Sequence, residues 1–385
     1  MKSRIVTPIS LLCAFATMIE SPLSAQEPQN DRLNAREPKL IEFDAPGAGT
    51  TSAPICTPYC GTVAYGNNSQ GEIVGFYVDA NVVPHGFIRK VDGKIIPFDA
   101  PGAGLGLGLD QGTYAFSVND LGAIAGESQD PNYVYHGFVR HSDGHFSTFD
   151  APGAGTEANQ GTFTWDINLA GASAGVYIDW NNVYHGYVRS SNAVIESFDP
   201  PNSTYTYVCQ ETCLNAEGVV IGFFADLENV YHGFIREPGG RMTVFDAPDA
   251  GTGLYQGTYA ASITIDGAIT GYVLDANYVA HSFIRTHDGR YTTFDVPGGG
   301  QGQDQGTAAF SINFFGAVTG VSIDANYIEH GFSRSARGAI SIFDASSAGT
   351  GSGQGTRPST INLQGQVTGY YIDANNLTHG FLWQP

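Results

Sequence analysis

The chain has 385 residues and carries 37 acidic against 17 basic side chains, for a formal net charge of −20. Only 14% of its residues are charged, where an average soluble domain has about 25%. Nucleic-acid binding through clustered Lys and Arg is excluded, as is a coiled coil. An apolar content of 42% with 12% aromatics argues against disorder, and 50 Gly with 19 Pro describes a turn-rich, acidic, all-β protein.

Lys2 and Arg4 precede an apolar stretch, Ile5 to Ile19, that ends at Leu23-Ser24-Ala25. A basic start, a short apolar core and a small residue at the end describe a secretory signal peptide. The apolar run is about 15 residues, too short for the ~20 of a spanning helix. The expected organisation is a signal peptide over 1–25, a linker over 26–39 and a folded domain over 40–385. The product is expected to be secreted or extracytoplasmic, monomeric and without a membrane span.

Phe-Asp recurs at Phe43, Phe98, Phe149, Phe198, Phe245, Phe294 and Phe343. A His followed by a small residue recurs at His85, His136, His185, His232, His281, His330 and His379, mostly 49 residues apart. One unit reads as four short strands. Strand a is typified by Gly112 to Asn119 and ends in an Asn-x-x-Gly turn. Strand b carries a Gly at a fixed position, such as Gly126 or Gly271, the mark of a bulge or close contact. Strand c starts at the His, a turn such as Asp92-Gly93 follows, and strand d ends in Phe-Asp. Four strands in about 49 residues, seven times over, predict a seven-bladed β-propeller of four-stranded blades. The chain stops after strand c at His379 to Trp383, and Leu40 to Pro46 reads as a lone strand d. The N-terminal strand is therefore expected to complete the last blade and close the ring, removing exposed edges.

In such a blade the d-to-a and b-to-c connections share one face, and this face has the long loops, such as Asp150 to Thr162. It also collects fourteen recurring aspartates, among them Asp99, Asp150, Asp295 and Asp275. Long loops on a rigid scaffold are where binding residues concentrate, so this acidic face is the expected ligand surface. Counting outward from the hairpin puts His85 beside Asp99, His136 beside Asp150 and His281 beside Asp295. An Asp–His contact in every unit reads as architecture rather than as a catalytic or metal site. The Asp-x-Asn turns also invite calcium, but each offers one carboxylate where a tight loop needs several, and Asx residues build ordinary turns. No cofactor is expected.

Gln-Gly-Thr opens strand a at Gln111, Gln160, Gln256, Gln305 and Gln354. Strand a is innermost in a propeller, so these residues should ring the channel mouth. With the nearby singletons Asp110, Glu157, Tyr255 and Asp304 they form the candidate ligand-binding set. Trp165, Asp166 and Trp180 are further singletons of the third unit. Cys56, Cys60, Cys209 and Cys213 are disulfide candidates in an exported chain. A link between the Cys56–Cys60 loop and the fourth unit is one arrangement. A local 209–213 bond would need a distorted strand, since four residues of strand span ~13 Å.

The units HGFIR, HGFVR and HGFLW (His379 to Trp383), preceded by strands like Ile361 to Gly369, resemble the HAF family of extracellular bacterial repeats, named for a His-Ala-Phe motif. The resemblance covers about residues 40 to 385 and implies an exported repeat protein, with no established activity to carry over. It departs in strand d, where this chain has Phe-Asp-Ala-Pro-Gly-Ala-Gly. The function expected is non-catalytic binding of a polysaccharide or protein surface on the long-loop face. The alternative is a polysaccharide-degrading enzyme using carboxylates at the channel mouth. Deleting residues 26–45 should destabilise the whole ring; cooperative melting at an unchanged temperature would contradict closure by that strand.

Overall fold

The computed structural model describes residues 37–50, 60–106, 111–209 and 212–385, so the expected signal peptide lies outside the described residues. Every regular element among them is a β-strand. After β1 (Lys39–Phe43) come β2 (Thr62–Asn67), β3 (Ile73–Val78), β4 (Pro84–Arg89) and β5 (Ile95–Phe98). These last four pair in order and antiparallel. The same four-strand unit recurs along the chain, for example from Thr113–Val118 to Phe146–Phe149 and from Gly257–Ile263 to Tyr291–Phe294. The final strand, Thr378–Gln384, takes β1 as its outer neighbour, with Leu40 opposite Trp383 and Phe43 opposite Gly380.

The fourth unit departs from the expected strand. Its first strand is only Tyr205–Val208, so Cys209 and Cys213 lie beyond the strand, and Cys213 Sγ donates to the Cys209 carbonyl. Elsewhere the first strand carries a bulge near its middle, as between Ala115 and Ser117 or Ala309 and Ser311. The Gly of the second strand sits opposite that bulge. A Cβ at Gly126 or Gly320 would collide with the carbonyl of Tyr114 or Ala308, which is the close approach that makes Gly necessary there.

The His-Gly-Phe motif has a packing explanation. Its Gly lets the strand d Phe lie flat across strand c, since a Cβ at Gly86 would strike the Phe98 ring. The motif's Phe is wholly buried (Phe87, Phe138 and Phe332 each have 0% exposure). It meets the strand d Phe of the preceding unit edge-on, as Phe98–Phe138 at 6.4 Å and Phe294–Phe332 at 6.0 Å. The Arg four residues after the His then stacks on that same strand d ring. Arg140 lies 5.0 Å over Phe98 and Arg334 4.7 Å over Phe294, a cation–π contact, and Arg334 also donates to the turn carbonyl of Ser335 at 3.4 Å. Trp383 takes the arginine's place, stacked on Phe343 at 4.8 Å.

Two series of polar contacts join successive units near their inner edges. At one end, the Gly that opens strand a pairs in parallel with strand c of the unit before, as Gly161 with Tyr135 and Gly306 with Ala280. Gly61 makes the same bridge to Thr378. At the other end, each turn Asn donates its side-chain amide to the backbone of the next turn. Asn68 reaches the carbonyl of Asn119 (3.1 Å), Asn119 that of Asn168 (2.9 Å), Asn168 that of Asn215 (3.1 Å) and Asn215 that of Thr264 (3.2 Å). Asn313 reaches Asn362 (2.9 Å), and Asn362 reaches Asn68 (3.0 Å). Thr264 lacks the amide. Its hydroxyl accepts from Ala268 N and so serves its own turn only. Thr264→Asn should therefore supply the missing donor and raise unfolding free energy by about 1 kcal/mol in a denaturant titration; no gain would show that the Asn contacts carry no net stability.

Candidate functional site

Each motif His stands between two carboxylates. Nδ1 lies 2.8 Å from Asp99 in His85, 2.8 Å from Asp150 in His136, 3.0 Å from Asp295 in His281 and 2.9 Å from Asp44 in His379. Nε2 faces the turn aspartate six residues earlier at longer range, 3.8 Å for His85 and 3.3 Å for His232. Those turn aspartates are already engaged. Asp79 accepts from the backbone N–H groups of Asn81 and Val83 and from the Asn81 amide. Among the described residues no group of three or more His, Cys, Asp or Glu is set to hold a metal ion.

The glutamines of the Gln-Gly-Thr triplet are buried, with exposures of 3% to 9%. Their amides are spent inside the fold. Oε1 of Gln160, Gln256, Gln305 and Gln354 accepts from the backbone of the preceding loop, at Glu157, Gly253, Gly302 and Gly351. Nε2 of Gln111, Gln256 and Gln305 donates to carbonyls of a b-to-c turn (Pro131, Ala276 and Ala325), and Gln160 and Gln354 reach Asn182 and Asn376. The triplet thus staples two loops together. Glu157, Asp304 and Tyr255 are exposed, the last two at positive φ, while Asp110 and Cys56 lie outside the described residues. Cys60 is disulfide-bonded. Of the third-unit singletons, Trp165 and Asp166 are buried and Trp180 is 76% exposed.

The two residues that face inward after the Gly-Thr pair shape the interior, and of these the sequence pointed only to Trp165 and, as a disulfide candidate, Cys209. In the first three units they include Tyr65, Tyr114, Phe116, Phe163 and Trp165. In the others one of each pair is small: Cys209 beside Tyr207, Ala261 beside Tyr259, Ala308 beside Phe310, Ser359 beside Arg357. Small residues at alternating places leave a void, and a cavity of about 360 Å³ opens there. Its walls are aromatic. Ring centroids are 5.0 Å apart for Tyr207–Phe223, 5.0 Å for Tyr231–Tyr259 and 4.8 Å for Tyr259–Tyr272. Exposed Tyr255 lies 6.3 Å from Tyr231 and so borders this aromatic group on the long-loop side. Burial pushes the Tyr205 and Tyr259 phenols well above their usual range, so they stay neutral donors.

One charged group faces the aromatics. Arg357 stacks 5.1 Å over Phe310 and donates to Glu329 at 2.8 Å. Glu329 stands where the second, third and fourth units have Tyr135, Tyr184 and Tyr231, so the pair is particular to this side of the interior. Aromatic faces with one donor and one acceptor group nearby suit a ligand with apolar C–H faces and hydroxyls.

No family model and no curated protein matches the sequence. Among solved structures the chain is similar to the BP39L lectin from Burkholderia pseudomallei (9% identity, TM-score 0.52, over 82% of this chain and 94% of that one). It is similarly close to a puromycin hydrolase S511A mutant complexed with PGG (10% identity, TM-score 0.51, over 86% and 53%). A fungal lectin from Aleuria aurantia, described as a six-bladed β-propeller, aligns at 12% identity and a TM-score of 0.40 over 73% and 93%. A lectin and a hydrolase at equal distance make this a likeness of fold alone.

The histidines and acids give stability a direction with pH. Hydrogen bonds to Asp99, Asp150 and Asp44 raise His85, His136 and His379 above the usual value, against an opposing effect of burial. Their contribution is complete below the unfolded pKa of about 6.5 and is lost as pH rises through the raised folded values. Burial pushes Asp166 up to about 6, which likewise favours the native state as pH falls from there toward the unfolded value near 3.9. The turn aspartates have the opposite sign. Burial tends to raise Asp130 and Asp275, but backbone N–H bonds outweigh it and lower them, so their support fades below about pH 4. Melting temperature should therefore decline from about pH 6.5 upward, and His85→Asn with His136→Asn should flatten that decline; stability rising with pH in this window would contradict the pairing.

Proposed function

We propose that this chain is an exported, non-catalytic, seven-bladed β-propeller of the HAF-repeat kind that binds carbohydrate in its aromatic cavity. The seven-fold reading is supported by 28 strands among the described residues pairing in sets of four, with β1 serving as the fourth strand of the last set. Ring closure is supported by the Gly61–Thr378 bridge and the Asn362 to Asn68 bond, which join the last unit to the first. Carbohydrate binding rests on one observation above the others: Tyr207, Tyr259 and Phe310 surround a 360 Å³ space beside the Arg357–Glu329 pair. Flat aromatic rings pack against the C–H face of a pyranose, while a guanidinium donates to, and a carboxylate accepts from, neighbouring hydroxyls.

A binding role fits this cavity better than hydrolysis. Glycoside cleavage takes two carboxyl groups facing one bond. No carboxylate is among the described residues lining the cavity, and nearby Glu329 is held by Arg357.

A glycan panel followed by calorimetry tests the reading. At least one oligosaccharide should bind without being cleaved, and Tyr259→Ala should weaken it about tenfold (about 1.4 kcal/mol) with a native melting curve retained. Turnover of a bound glycan, or affinity indifferent to Tyr259→Ala, would overturn it.

A further inference from the structure

The inner strands that open beside the aromatic cavity end at a second one. About 450 Å³ in volume, it is lined by residues from every repeat, at the end where the Asn turns meet. Its wall is apolar: Ile167, Ile263, Ile312 and Ile361 are the last residues of four inner strands, with Phe116 and Leu214 between them. The mouth is also apolar. Leu169, Ile265, Phe314 and Leu363 line it, yet 44% to 51% of each is exposed to water. Turn tips favour polar residues, and large side chains exposed around a concavity mark a binding surface.

The charge in this cavity has one sign. Asp120 and Asp166 are the charged residues among those lining it; no Lys, Arg or His does so. Asp166 is 2% exposed. Its oxygens accept from the Ser117 hydroxyl (2.8 Å) and from the N–H groups of Ile167 (2.8 Å) and Leu214 (2.9 Å), all neutral donors. A carboxylate buried without a cation is costly. Burial pushes Asp166 up to about 6, so above that pH it stands in an apolar wall without a counter-charge.

We propose that this cavity binds an amphiphilic cation, a molecule with an aliphatic or aromatic body and one ammonium or guanidinium group. The body lies against the isoleucines and the charge comes to rest beside Asp166. The volume falls within the 300–1,000 Å³ usual for small-ligand sites, and the ligand's cation supplies the partner that the fold does not. The site is at the opposite end of the inner strands from the aromatic cavity and does not depend on carbohydrate binding.

The test is calorimetry at pH 7.5 with n-octylammonium as probe, and n-octanol and octanoate as controls. Octylammonium should bind one per chain, at least tenfold tighter than octanol, with octanoate weaker still. Asp166→Asn should remove the preference for the amine. Because Asp166 also holds Leu214 in place, Ile265→Lys is the companion variant: it is exposed, should leave the melting curve unchanged, and puts a repelling cation at the mouth. Tyr259→Ala should leave octylammonium binding intact. No binding, equal binding of the alcohol, or octylammonium binding undiminished by Ile265→Lys would overturn the proposal.

Discussion

In every Asn-x-x-Gly turn the Asn carbonyl oxygen of the side chain accepts from its own turn, as Asn119 does from Leu121 and Ala123. The same amide's N–H group donates to the next unit. One residue therefore folds a hairpin and fixes its neighbour. These bonds are buried, where an unmade one costs more than a made one gains, so a unit out of register loses stability at two junctions. The cavity at the turn end is framed by these same turns, and its shape depends on their spacing. The Phe–Phe–Arg stacks toward the periphery recur from one junction to the next, with Tyr187 in place of Phe at one and Trp383 in place of Arg at another. Inner polar contacts and outer aromatic packing together hold the strands that carry both cavities.

The repeated residues are spent on this framework. The glutamines tie loops together, the histidines join strand c to the end of strand d, and the glycines give way to carbonyls and rings. What remains for ligands is supplied by the departures: Cys209, Ala261, Ala308 and Ser359 where bulk stands elsewhere, Arg357 with Glu329, and Asp166 among isoleucines. The excess of acid divides in the same way. Half of the recurring aspartates accept bonds within their own turns and the other half bond the histidines, as Asp79 and Asp99 do, while the singular Asp120 and Asp166 line the turn-end cavity.

Much of the framework was legible in the sequence because a repeat displays its own period: Phe-Asp, His-Gly and the turn Asn delimit strands without any alignment to other chains. The role of the Asn amide beyond its turn was not legible, since a turn motif looks the same whether or not its side chain reaches a neighbour. Nor was the stacking of Arg on the preceding unit's Phe, because 42 residues separate Arg140 from Phe98 and only the twist of the units brings them together. The aromatic cavity left a signal in the columns three and five residues after each Gln. The regular triplet does not point to it, and among the described residues of the candidate set only Tyr255 borders the aromatic group. The short first strand of the fourth unit explains why Cys209 and Cys213 resisted a strand-based reading.

The central claim is that ligands meet this protein where its repeats differ. A crystal structure with the tightest-binding oligosaccharide tests that most directly. The account predicts a sugar ring stacked between Tyr207, Tyr259 and Phe310 with hydroxyls toward Arg357 and Glu329. A sugar bound instead at the recurring His–Asp or Gln-Gly-Thr positions, one per unit, would contradict it.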